Sequence, residues 1–462
     1  MGLLNRLDAQ NKSSSTAEMP GNSAQPAVAA PAITQAAETS AAAAEEKDIY
    51  ADVKRTIHVD IIKTMNREGH VKVDRSTIYK LLDEKINDDE YKIPRIDRPK
   101  VFSELFNDIV GYGPIEDLVE SEKYSEIMIN GPDQIYVEQG GKLVLTDKKF
   151  RDEEHLMNII DRIVSQVGRH VDESSPMCDA RLPDGSRVNV IVPPLSLVGP
   201  VVTIRKFGKK PITAQQLVKF GSITPNMLSF LEACVKGKLN IIVSGGTGSG
   251  KTTLLNVLSS FINDDERIVT IEDAAEVQLK QEHVITLEAR PANLEGKGAI
   301  TIRNLVKNAL RMRPDRILVG EVRSEETLDM LQAMNTGHDG SLTTIHANTP
   351  RDSIARIETM VMMSGMELPL KAIRDQVASA IDLIIQQSRL RDGTRKVTSV
   401  SEVVGMEGDV VSMQEIFRFE TDGHVDAQGK FIGQFRATGV RPHCVEKIRA
   451  NGVTVNNEWF SN

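Results

Sequence analysis

Asn240-Ile241-Ile242-Val243-Ser244-Gly245-Gly246-Thr247-Gly248-Ser249-Gly250-Lys251-Thr252-Thr253-Leu254-Leu255 runs from a short apolar stretch through a glycine-rich loop into an apolar-periodic helix. Gly245 to Thr252 fit G-x-x-x-x-G-K-S/T at every position. Glycines let the backbone curl until successive N–H groups point inward at an anion. The helix that starts there adds its positive end. Lys251 is placed to reach the β- and γ-phosphates of a nucleotide, and the Thr252 hydroxyl to bind Mg²⁺. Gly245, Gly246, Thr247, Gly248, Ser249, Gly250, Lys251, Thr252 and Thr253 are therefore the candidate nucleotide-binding residues. A glycine-rich turn with a chance lysine is the bland alternative. The strand–loop–helix setting argues against it.

Three further stretches converge on the same chemistry. Ile317-Leu318-Val319-Gly320-Glu321 is an apolar strand ending in a carboxylate. A parallel sheet offers such an acid at its carboxyl edge, where ligands bind. Glu321 can hold Mg²⁺ there, directly or through water. Thr270-Ile271-Glu272-Asp273-Ala274-Ala275-Glu276 crowds three carboxylates at a strand's end, which is unfavourable unless a cation or a proton-transfer role accounts for it. A water attacking a γ-phosphate needs such a carboxylate, and spacing alone does not choose among the three. In the segment Thr336 to Asn348, Gly337 and Gly340 bracket a loop and His346 ends a strand. By chemistry alone a lone histidine is more often structural, and His58, His155 and His424 get only that reading.

Arg303, Arg311, Arg313, Arg316 and Arg323 read as a solvated basic face. Farther upstream, the run Asp179 to Arg187 and the triplet Ile204-Arg205-Lys206 set arginines just before a linker. From a separate domain they could meet a γ-phosphate, because arginine stabilises transition-state charge.

The rest of the chain frames this site. Its 462 residues suit two to four domains, and 40% hydrophobic content suffices for real cores. Residues 1–47 are too poor in large apolar side chains to offset chain entropy and read as a disordered tail. Residues 48–98 show helical periodicity and read as a helical module. Residues 99–207 read as an α+β domain, with a hairpin turning at Asn130-Gly131-Pro132-Asp133. Residues 208–211, Gly208-Lys209-Lys210-Pro211, read as a linker. Residues 212–462 alternate strands with helices, as a parallel sheet covered by helices requires. The fold class is thus α/β. No internal repeat is evident.

A net charge of −9 without a basic stripe argues against a dedicated nucleic-acid binder. Three distant cysteines suggest neither zinc nor disulfides and fit a reducing cytosol. No apolar run approaches the ~20 residues of a membrane span, and the first residues lack the apolar core of a signal peptide. Membrane association is therefore expected through partners or a surface face.

Together, and in this order, these elements resemble the secretion ATPase superfamily of type II and type IV secretion, type IV pili and archaella. Its Walker A, aspartate box, Walker B and histidine box match Gly245–Thr252, Glu272-Asp273 to Glu276, Ile317–Glu321 and His338 to His346. Val167-Gly168-Arg169, Asp172 to Asn189, Arg311 to Arg316 and Phe435 to Pro442 resemble the CpaF-type motor of tight-adherence (Tad/Flp) pili. The resemblance implies a RecA-like P-loop ATPase domain behind an α+β N-terminal domain. It also implies a cytoplasmic homo-hexamer that hydrolyses ATP with Mg²⁺ and drives pilin movement through inner-membrane platform proteins. By the same resemblance Glu276 becomes the water-activating base and Glu321 the Mg²⁺-side acid. His346 becomes a γ-phosphate contact supported by His338, while Arg181 and Arg205 reach nucleotide when the domains close. The tetracysteine zinc module of the type II branch is missing. The alternatives are a VirB11-like or archaellum motor, a RecA-like nucleic-acid translocase, and a nucleotide-gated scaffold that does not hydrolyse ATP.

Overall fold

The computed structural model describes residues 49–67, 75–208, 211–292, 297–427 and 429–461. The expected tail and the two lysines of the linker lie outside the described residues. Three helices come first: α1 (Ala51–Arg67), α2 (Arg75–Asn87) and α3 (Arg98–Val110). Ile57, Ile61, Ile78, Leu82, Val101 and Leu105 form one buried cluster among them, the expected outcome of apolar residues three and four apart.

After the short α4 (Glu116–Glu120) come β1 (Glu126–Asn130), β2 (Gln134–Gln139) and β3 (Lys142–Leu145). α5 (Glu153–Ser165) leads to β4 (Met177–Arg181), β5 (Arg187–Ile191) and β6 (Val201–Arg205). These strands make a six-stranded antiparallel sheet in the order β3-β2-β1-β6-β5-β4. The apolar face of α5 (Leu156, Ile159, Ile160, Ile163) is buried in the core that this sheet shares. Asp152 caps that helix by accepting from His155 N at 2.7 Å.

The second sheet follows α6 (Ala214–Lys219) and α7 (Pro225–Lys236). Thr224 caps α7 and Pro225 opens it, as that dipeptide suggests. The next elements are β7 (Ile241–Gly245), α8 (Lys251–Ser259), β8 (Ile268–Glu272), β9 (Val284–Glu288), α9 (Ile302–Ala309), β10 (Arg316–Val322), α10 (Glu326–Asn335) and β11 (Leu342–Ile345). Then come α11 (Pro350–Met362), α12 (Leu370–Ala380), β12 (Leu383–Arg389), β13 (Arg395–Glu407), β14 (Val410–Glu420), β15 (Gln434–Ala437) and α13 (Cys444–Ala450). The nine strands lie in the order β15-β14-β13-β12-β7-β11-β10-β8-β9. From β12 to β9 neighbours are parallel; from β12 to β15 they are antiparallel. β7 is buried at all five positions, because helices cover both faces of a parallel sheet.

The basic face expected around Arg316 needs correction. Arg311 and Arg313 are exposed, but Arg316 is fully buried. It donates to Glu266 at 2.6 and 3.1 Å, to Val235 O at 2.9 Å and to Gly340 O at 3.1 Å. Gly340 is obligatory there: it has φ +82°, and a Cβ would lie 1.6 Å from the guanidinium. Burial alone would raise the Glu266 carboxyl, but Arg316 and Lys238 outweigh it and hold that pKa below its ordinary value. Asn240 ties the same end of the sheet, accepting from Gly340 N and Ser341 N and donating to Ala380 O at 2.7 Å.

Candidate nucleotide site

β7 delivers the glycine loop to the carboxyl edge of the parallel sheet. The loop is tightly enclosed on one side. A Cβ at Gly245 would meet Gln387 O at 2.3 Å and Ser249 Oγ at 2.5 Å. Gly248 and Gly250 have φ of +68° and +96°, a region that favours glycine. Lys251 begins α8 and donates to Gly246 O at 3.2 Å. Burial pushes its ammonium below the ordinary lysine range, and Glu321 counters part of that. Ser249 Oγ is buried and has no partner among the described residues. An orphan hydroxyl, a lysine without a carboxylate ion pair and a backbone that tolerates no side chain suit a phosphate. Thr252 and Thr253 follow, half-buried, in the first turn of α8.

β10 carries Glu321 to the same edge. Its register against β11 shifts between Val319 and Val322, and such irregularities re-aim a side chain. Glu321 accepts from Arg323 at 2.7 and 2.9 Å, and Arg323 also donates to Asp273 at 3.1 Å. Burial alone would lower the Arg323 pKa, but Glu321 and Asp273 raise it overall. His346 lies just beyond β11, half-buried and beside β7 in the sheet order. His338 stands at the opposite, amino end of β11, a strand's length of ~13 Å away.

The three crowded acids separate by environment. Glu272 ends β8, is buried, and accepts from Glu276 N at 2.9 Å and Val277 N at 3.2 Å. Burial pushes its pKa up to about 7, with Glu276 and Glu288 adding to the rise. Asp273 faces Arg323. Glu276 faces Arg187, which reaches it from the first sheet at 2.8 Å. Arg181 reaches Glu288 on β9 at 2.8 Å. The strands β4 and β5 of the first sheet thus confront β8 and β9 of the second across a cavity of about 860 Å³. Arg205 lies directly opposite Arg187 on the neighbouring strand β6. It pairs with Glu126 of its own sheet at 2.8 Å and is mostly exposed.

Arg187 belongs to the Asp179–Arg187 run read as a source of arginines for a γ-phosphate, but it is not among the residues given an individual role. It sits directly opposite Arg181 across a hairpin, and the sequence of that hairpin occurs twice. Arg181-Leu182-Pro183-Asp184-Gly185-Ser186-Arg187 and Arg389-Leu390-Arg391-Asp392-Gly393-Thr394-Arg395 both follow R-L-x-D-G-S/T-R. Their geometry matches. The glycines have φ +91° and +83°, each aspartate accepts from the N–H and hydroxyl two residues on, and the flanking arginines face each other. The second hairpin lies against the glycine loop, with Arg395 Nε donating to Gly248 O at 3.0 Å. Seven residues are too few to register as a repeat by periodicity.

The fold and site define a P-loop ATPase with a second sheet-bearing unit facing its nucleotide edge. The signature of the Type II/IV secretion system protein family matches residues 108–438, and the chain belongs to that family. A putative conjugal transfer protein of Mycobacterium tuberculosis (strain H37Rv) is 35% identical over 312 residues, covering 66% of this chain and 88% of that one. The type IV secretion system protein VirB11 of Bartonella henselae is 33% identical over 325 residues, covering 62% and 90%. The crystal structure of the pilus retraction motor PilT with bound ADP overlays with a TM-score of 0.50 at 21% identity, covering 73% and 86%, and shows a shared fold.

Proposed function

We propose that this ATPase is a homo-hexameric motor that assembles pili of the Tad/Flp, CpaF-type kind from the cytoplasmic face of the inner membrane, acting through platform proteins there. The segments from Asp172 to Asn189 and Arg311 to Arg316 support that branch. A VirB11-like transfer motor is the second reading, favoured by the 33% identity to VirB11. Among the described residues no helix is long and apolar enough to cross a membrane.

The observation that carries the mechanism is the bridge from Arg187 to Glu276. The glycine loop and Lys251 bind the triphosphate of ATP. Thr252 and Glu321 are the residues to hold Mg²⁺, which would add positive charge at the β- and γ-phosphates. Glu276 orients the attacking water and takes its proton. Arg187 is held by Glu276 at 2.8 Å. A γ-phosphate competes for that guanidinium, which frees the carboxylate and draws the two units together. Hydrolysis removes the competitor. The shift between states is worth only the difference in contacts. His346 is a γ-phosphate contact from the strand between the loop and Glu321.

Phosphate release by the purified chain, measured with its mass in solution, tests this reading. Release with Mg-ATP from a particle of hexameric mass is expected, and cells carrying Lys251→Ala should lose surface pili. A monomer without phosphate release rejects the motor. Intact pili together with failed substrate transfer favour the VirB11-like reading.

A further inference from the structure

Between β8 and β9, residues 273–283 form neither helix nor strand, so no ladder of backbone bonds fixes the place of Glu276. Buried or half-buried backbone groups there need partners from side chains. Glu272 of β8 supplies the first, accepting from Glu276 N at 2.9 Å. Asn256 supplies the next two. It is half-buried on α8, the helix that Lys251 begins. Its Oδ1 accepts from Gln278 N at 2.8 Å, and its Nδ2 donates to Glu276 O at the longer distance of 3.5 Å. One side-chain amide thus brackets Val277, whose own side chain is buried in the core it shares with Leu254 and Leu255 of α8.

The far end of the segment is tied to the same helix in a different place. Gln281 Nε2 donates to Ser259 O at 2.9 Å and to Ile262 O at 3.1 Å, at and beyond the end of α8. Asn256 instead stands one helical turn past Thr252 and takes the carbonyl of Glu276 itself. A third contact leads outward. Gln278 Nε2 donates to Gly208 O at 2.9 Å, at the start of the linker. A shift of the linker therefore pulls on the residues beside Glu276, and Asn256 is the side chain that opposes it from the phosphate-binding helix.

We propose that Asn256 is a positioning residue for ATP hydrolysis: it fixes the peptide that carries Glu276 and so sets the carboxylate against a phosphate held by Lys251. The inference rests on Glu276 being the group that activates water. Because Asn256 rises from the helix that also bears Lys251 and Thr252, base and phosphate cradle are referred to one element. A base displaced by about 1 Å loses up to ~10²-fold in rate, while the cradle that binds the nucleotide is unchanged.

Single-turnover phosphate release and equilibrium binding of ATP, both measured on the full chain, test it. Asn256→Ala should slow release roughly 10–100-fold and leave the dissociation constant for ATP within about twofold. Asn256→Leu, similar in bulk and a stronger helix former, should show the same split and serves if the alanine variant does not fold. In a Glu276→Gln background, Asn256→Ala should slow release by no more than about twofold further, because an absent base cannot be misplaced. Gln281→Ala loosens the far end only; it should lower Tm and leave release within about threefold. The proposal is overturned if the Asn256 variants release phosphate within about threefold of wild type, if their loss is matched by weaker ATP binding, or if the loss is as large without Glu276 as with it. It is equally overturned if Gln281→Ala slows release as much as Asn256→Ala, since general loosening would then account for both. Failure of the underlying reading looks different: Glu276→Gln alone would release phosphate at the wild-type rate.

Discussion

In both hairpins an aspartate–glycine turn sets two arginines opposite each other. Arg181 and Arg187 end on Glu288 and Glu276, whereas Arg395 donates to the Gly248 carbonyl and the Arg389 side chain has no hydrogen-bond partner among the described residues. One local sequence thus serves two electrostatic settings. The turn fixes where the guanidinium groups stand, and the facing element decides what they hold. Carboxylates opposite the first hairpin give a contact that a γ-phosphate can displace. A backbone carbonyl of the glycine loop opposite the second gives a contact that ties the hairpin to that loop.

Substitutions probe this difference in order of expected effect. Glu276→Gln removes the proposed proton acceptor while keeping the shape. Phosphate release should fall about 10²–10⁴-fold, with ATP binding retained in equilibrium dialysis. Arg187→Ala should lower kcat by roughly 10–100-fold, less than the loss of a full arginine finger. Arg205→Ala, whose guanidinium is held by Glu126, should change kcat less than about threefold. A larger loss at Arg205 than at Arg187 would reverse the assignment. Arg395→Ala loosens the Gly248 carbonyl. It should raise KM for ATP about threefold to tenfold with little change in kcat, the cost of about one hydrogen bond.

Stability offers two further tests away from the hairpins. Arg316→Ala leaves the Glu266 carboxylate buried and poorly paired and should cost about 3–5 kcal/mol in urea unfolding. Glu272 acts through pH. Its pKa rises from 4.5 to about 7 on folding, so the folded chain keeps a proton that the unfolded chain has released. Its contribution to stability is full below pH 4.5 and is lost as pH rises through 7. Glu272→Gln should flatten the fall in Tm over that window, and an unchanged slope would show that the carboxyl is not protonated there.

How much of this was legible in the sequence depends on range. The glycine loop, the apolar strand before Glu321 and the Thr224-Pro225 start of α7 are local signals, and their elements formed where spacing placed them. Burial of Arg316 was not legible, because its partners Glu266, Val235 and Gly340 come from three separate segments. The choice among Glu272, Asp273 and Glu276 was not legible from spacing either. It depends on which acid is buried and which meets an arginine from the other sheet. Arg205 is given its role by the family resemblance; its pair with Glu126 across β1 and its place opposite Arg187 across β5 come from sheet register, which spacing does not reveal.

The most direct test is a structure of the full chain with Mg²⁺ and a non-hydrolysable ATP analogue. The expected result has the terminal phosphate on Lys251, with Arg187 moved from Glu276 onto that phosphate. Arg187 still bound to Glu276 beside an occupied glycine loop, or a nucleotide seated elsewhere, would contradict it.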